Sequence, residues 1–242
     1  MNPQARWKVV TLCRKTDPDR SPRFLRALEQ LNAGGEMGDL DDGPEQSPLS
    51  GDQVKNTILE LLGADEFDLI ITHSPGGEYT RHLRHEETGK AVFALWQTGR
   101  LTAKQLWQLA YQDGGGKYPP AAAHDADLKI ELPEKIWRKK YDIITNVYGF
   151  TADSFEAKTT PRTEAFWCLQ AVNPPPACAG KTQKTEDRRQ KTERRISNNE
   201  QGISKFEILC SEFDIPFSRP SSVLRRGAVI RVQLVRADPA RQ

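Results

Sequence analysis

The chain has four histidines, and three of them, His73, His82 and His85, fall inside one stretch, Phe67–Trp96, FDLIITHSPGGEYTRHLRHEETGKAVFALW. Neutral imidazole is a common zinc ligand and a general acid or base near neutral pH. His82 and His85 are three residues apart, so both project from one face of a helix if the helix has begun by then. A catalytic zinc needs three protein ligands and an open position for water, and His-x-x-His supplies at most two. Surface histidines without a chemical role are the plainer alternative. Pro75-Gly76-Gly77 before the pair builds a loop rather than a core, which favours a chemical role.

The elements on either side of the histidines follow from their patterning. Phe67–Thr72 is apolar and β-branched, which predicts a buried strand. Val92, Phe93, Leu95 and Trp96 recur at roughly helical spacing, which predicts a helix over 86–96. Ligands of open α/β sheets sit in the loops that leave the carboxyl ends of strands, which is where this spacing puts the histidines. Upstream, Trp7–Cys13 reads as a strand and 23–32 as an amphipathic helix ended by Ala33-Gly34-Gly35. Met37–Gly43 reads as a short strand or loop, and 53–63 as a helix capped by Ser50 or Asp52. The order β-α-β-α-β-α predicts a parallel sheet with crossover helices. Beyond it, 106–111 and 128–132 read as strands and 133–148 as a helix; 150–167 has no clear pattern. Asp113-Gly114-Gly115-Gly116-Lys117 lacks the spacing of a phosphate loop and reads as a turn.

Residues 69–85, Leu-Ile-Ile-Thr-His-Ser-Pro-Gly-Gly-Glu-Tyr-Thr-Arg-His-Leu-Arg-His, resemble the second motif of the LmbE/PIG-L family of metal-dependent N-deacetylases. That motif is a strand, a Pro/Gly loop and then His-x-x-His opening a helix; Leu83-Arg84 stands where Pro-Asp is usual. Val9–Leu12, Asp41-Asp42-Gly43 and 141–167 are similar to flanking pieces of the family. The resemblance implies a Rossmann-like, mostly parallel α/β sheet with zinc as cofactor. It further implies His85 as a metal ligand, His82 as the histidine that steadies the oxyanion and protonates the leaving amine, and Tyr79 as a substrate contact. The implied partner is an N-acetylglucosamine-containing small molecule. The family's first motif, Ala-His-Pro-Asp-Asp-Glu, does not occur in the chain. Two of three metal ligands and the general base are therefore unaccounted for, and the first β-α unit is expected to be missing through a wrong start, a frameshift or gene decay. Asp17, Asp19, Asp39 and Asp42 are not assigned to the site. The implied deacetylase is expected to be inactive in this chain. A non-catalytic sugar- or nucleotide-binding domain and an unrelated α/β binding domain remain the alternatives.

Charge and composition bound the rest. Residues 179–242 hold 14 Lys and Arg against 8 Asp and Glu, and the remainder 21 against 25, so a mildly acidic body carries a basic tail. Such a body does not point to nucleic acid. After Asn173-Pro174-Pro175-Pro176 the sequence becomes polar, with Lys-Thr-Glu-Asp-Arg-Arg nearly repeated as Lys-Thr-Glu-Arg-Arg. Disorder is expected there, since little apolar surface offsets the ordering entropy. The division expected is an α/β domain over 1–172 and a linker with a poorly structured tail over 173–242, in which 229–235 is strand-like without a partner in the body. Cys13, Cys168, Cys178 and Cys210 are widely spaced, as free thiols of a reducing cytoplasm would be. No run approaches the roughly 18 apolar residues of a membrane span.

Overall fold

The structure, a computed structural model, describes residues 6–76 and 82–171 and the backbone of 226–231. Tyr79 lies outside these residues, as do Cys178 and Cys210. The chain forms a mixed α/β fold around a seven-stranded, mostly parallel sheet of order β2-β1-β9-β3-β4-β8-β7. The strands are β1 (Arg6–Cys13), β2 (Gly34–Leu40), β3 (Phe67–Thr72), β4 (Ala103–Leu109), β7 (Leu128–Glu131), β8 (Thr163–Gln170) and β9 (Arg226–Arg231). Between β4 and β7, β5 (Tyr111–Gln112) and β6 (Ala121–Ala122) pair as a small hairpin around the glycine turn at 113–116. The β8 strand runs antiparallel to both β4 and β7.

Helices cover both faces of the parallel part. The helix α1 (Arg20–Leu31) buries Phe24 and Leu28 with Met37 and Val9 on one face. On the other, α2 (Gly51–Leu62) and α3 (Leu83–Gln97) bury Ile58, Leu62, Val92 and Leu95 against Val10, Leu12, Ile70 and Leu106. The strict alternation in β1, with Val10 and Leu12 on the α2 side and Val9 on the α1 side, is what lets one strand serve two layers. Ser50 caps α2 by accepting from the Gln53 N–H, one of the two caps the sequence offered. Gly34-Gly35 does not end α1; Asn32 takes the left-handed turn at φ 48°, and the glycines open β2. A methyl on Gly35 would stand 2.4 Å from the Val9 carbonyl, so that edge packs only without a side chain. Residues 134–142 form α4, which runs on into a π-helical turn at Ile143–Val147.

The strand that sequence patterning left without a partner is central. β9 lies between β1 and β3 and is parallel to both, with Val229 opposite Val9 on one side and Ile71 on the other. The expectation of an unpaired piece at 229–235 is therefore corrected to a strand over 226–231, and the 54 residues between Ala171 and Arg226 connect the sheet to its own middle. Local pattern cannot reveal this, because a strand's neighbours are chosen by tertiary contact rather than by sequence distance. Among the described residues no helix is long and apolar enough to cross a membrane.

Candidate functional site

From β1 the chain winds through α1 to β2 at one edge, then through α2 across to β3 and through α3 to β4 on the other side. The connections part above the carboxyl ends of β1 and β3, and such a parting is where open α/β sheets bind ligands. Four segments meet there: Arg14 after β1, Asp41–Leu49 after β2, His73-Ser74 after β3, and the start of α3.

The three histidines converge at this point. His73 directly follows β3 and is fully buried, and His85 is 1% exposed in the first turn of α3. Their rings stack with centroids 3.9 Å apart and planes within 10°. His82 stands 4.8 Å from His85 at a 45° tilt. The helix begins at Leu83, earlier than its apolar spacing predicts, and His82 is its N-cap rather than a residue of its first turn. Gly89 makes the stack possible. A methyl there would sit 2.6 Å from the His73 carbonyl oxygen and 2.7 Å from that of Ser74. Without one, α3 lies directly on the backbone after β3, and His85, one turn earlier on the same side, is set over His73.

Opposite the imidazoles stands an acid that sequence reasoning passed over. The Asp42 carboxylate is only 2% exposed; Arg14 Nε donates to it at 3.3 Å and Gln46 Nε2 at 3.2 Å, while Arg14 Nη2 donates to the Asp42 carbonyl at 2.9 Å. Arg14 holds this pose with φ at 72° and Gln46 with φ at 48°, left-handed conformations uncommon for side-chain-bearing residues and concentrated at functional sites. The other aspartates named from sequence shape loops. Asp17 accepts from the N–H groups of Asp19 and Arg20, Asp19 pairs with Arg23, and Asp39 accepts from Thr16. The signal that could have found Asp42 is its place just past the carboxyl end of a strand parallel to β3.

The loop carrying Asp42 is fastened to α3 by Arg84, a guanidinium 2% exposed. It donates to the carbonyls of Asp41 and Ser47 and pairs with Glu87, and Glu87 in turn accepts from the Leu49 N–H. Leu83-Arg84, the departure within His-x-x-His, is thus a structural clamp. Burial is the main cause that lowers the His82 pKa from its ordinary value, with Arg84 and His73 adding to it against Asp42 and Glu87. A neutral His82 can accept or donate one hydrogen bond at neutral pH. The Cys13 thiol, at the end of β1, is pushed up to about 12 by burial and then by Asp42, so it is no nucleophile.

The zinc implied by resemblance can be tested against these side chains. Two imidazoles sharing a tetrahedral zinc, each nitrogen about 2 Å from the ion, hold their ring centres roughly 5 Å apart with both planes passing through it. The His82–His85 pair meets that spacing. His73 and His85 do not, because stacked parallel rings aim their lone pairs past one another. Among the described residues no three His, Cys, Asp or Glu side chains are grouped to hold a metal. His85, the implied metal ligand, and His82, the implied acid, are therefore brought together, but a closed ligand set is not. Compared with models of protein families, with curated proteins and with solved structures, the chain matches none.

Proposed function

We propose that the crevice above β1 and β3 binds an N-acetylated sugar conjugate, in the manner of the metal-dependent N-deacetylases that residues 69–85 resemble, and holds it without hydrolysing it. The observation that carries this reading is the meeting of His73, His82 and His85 opposite the Arg14–Asp42 pair at the parting of the chain connections. The outward winding of a mostly parallel sheet from β1 and β3 supports a Rossmann-like arrangement, in which that crevice is the usual place for a ligand. His82 offers a neutral hydrogen-bonding group, and Arg14 and Asp42 a fixed donor and acceptor. His85 as a zinc ligand stays part of the proposal only if residues beyond the described set complete the site, and Tyr79 as a substrate contact likewise.

Two measurements on the full chain test it. Titration with N-acetylglucosamine, followed by saturation-transfer NMR, is expected to show saturable binding without added metal, abolished by His82→Ala. Absence of binding to the unmodified chain would sink the proposal. Metal analysis is expected to find well under one zinc per chain; a full equivalent, lost in His85→Ala, would replace the binding reading with the hydrolytic one.

A further inference from the structure

The Arg14 guanidinium sits at the end of a long, rotatable stem, and its pair with Asp42 uses only one side of it. Nε and Nη2 donate to the Asp42 carboxylate and carbonyl at 3.3 and 2.9 Å. Nη1 donates the other way, to Asp17 Oδ2 at 3.4 Å. A planar fork of this kind is fixed in orientation once partners hold two of its sides.

Asp17 can serve as the second holder because its other polar atoms are already tied down. Its N–H donates to the Arg14 carbonyl at 3.2 Å, closing a turn around Lys15 and Thr16, and its carbonyl accepts from the Ser21 N–H at 3.1 Å. Its Oδ1 accepts from the N–H groups of Asp19 at 3.0 Å and Arg20 at 2.9 Å. Those two donors belong to the amino end of α1, where N–H groups lack partners within the helix. Oδ2 is left for Arg14. The helix is set on the sheet by Phe24 and Leu28, so it holds Asp17 in place, and Asp17 holds the guanidinium. Asp39, the other acid bound to this connection, gives one oxygen to the Thr16 N–H and the other to the Thr16 hydroxyl.

We infer that Asp17 is a positioning residue of the crevice: anchored on the amino end of α1, it holds the Arg14 guanidinium on Asp42 and so sets the donor that a bound ligand meets. The consequence for affinity rests on the binding proposed above; the placement of Arg14 does not.

Asp17→Asn separates the two tasks of the side chain. The amide oxygen still accepts from the Asp19 and Arg20 N–H groups, while the amide nitrogen turns donors toward Arg14 Nη1. In the full chain, hydrogen exchange of the Arg14 Nε–H, followed in nitrogen–proton correlation spectra, is expected to quicken about tenfold. The thermal midpoint is expected to move no further than in Asp39→Asn, which disturbs the same connection without removing a bond to Arg14. N-acetylglucosamine is expected to bind Asp17→Asn about fivefold more weakly and Asp39→Asn as it binds the unmodified chain. Unchanged exchange at Arg14 overturns the inference, whatever the ligand does. Faster exchange with undiminished affinity overturns it too, since Asp17 would then hold an arginine that the ligand does not use. Equal quickening in Asp39→Asn overturns it as well, by reducing Asp17 to one of several loop contacts. No binding of the sugar to the unmodified chain ends the binding reading alone, and faster exchange in Asp17→Asn then still upholds the hold of Asp17 on Arg14. Should Asp17→Asn not fold, Asp17→Ser decides on the same measurements, because its hydroxyl accepts from the same N–H groups and falls short of Arg14.

Discussion

Arg84 and His82 are neighbours in sequence with opposite tasks, and burial separates them. Arg84 places five donors where two carbonyls and two carboxylates await them, which is how a guanidinium survives at 2% exposure. Sequence shows only a charged residue between two histidines, indistinguishable from a solvated one. His82 has lost water, and its Nδ1 has no partner among the described residues, so burial sets its pKa in the fold below the ordinary value of about 6.5. The sign follows from proton counting. On acidification the unfolded chain takes up the proton first, so stability is complete above the unfolded value and falls as pH drops through it toward the folded one. Urea midpoints measured from pH 8 down to pH 5.5 are expected to decline over the lower half of that range, and His82→Gln to flatten the decline. An equal slope in the variant would show that other groups set it.

At the scale of elements, the site depends on how closely α3 approaches the end of β3. Helical spacing in 86–96 and the β-branched run in 67–72 make both elements legible from sequence, and the chemistry of their residues marked His82 and His85. The stacking of His85 on His73 is not legible, because it depends on the contact between Gly89 and the His73-Ser74 backbone. A glycine inside a helix reads from sequence only as a local weakness. Gly89→Ala tests the contact directly. Helix propensity alone would make this change stabilising by up to about 1 kcal/mol. The close backbone contact is expected to reverse the sign, with a loss of about 1–3 kcal/mol as α3 is forced outward, together with altered ring resonances of His73 and His85. A more stable protein with unchanged histidine resonances would mean that α3 does not rest on that loop.

Over the whole molecule, the decisive feature is β9. β1 and β3 make no ladder with each other; each pairs instead with 226–231, so the two halves of the parallel sheet are joined by the last of the described strands. The expected truncated domain ending near residue 172 would leave both of those edges open, a configuration that invites aggregation. Val229→Pro removes an N–H and adds a ring in a strand paired on both sides. It is expected to cost about 3 kcal/mol or more, or to prevent folding, measured by urea denaturation of the full chain. A small effect would remove β9 from the centre of the sheet.

What sequence alone determined are the features carried by short-range periodicity and residue chemistry: the strand-helix alternation through Gln97, the apolar faces of β1, α2 and β3, and the two histidines that open α3. These rest on neighbours two to four residues apart, which is the range over which side chains on one face meet. What only the tertiary structure decided are the partner of β9, the recruitment of Asp42 and Arg14 to the histidines, and the buried role of Arg84. Each joins residues separated by tens to hundreds of positions in the chain. Such contacts depend on how packed layers bring strand ends together, a relation that no local pattern encodes.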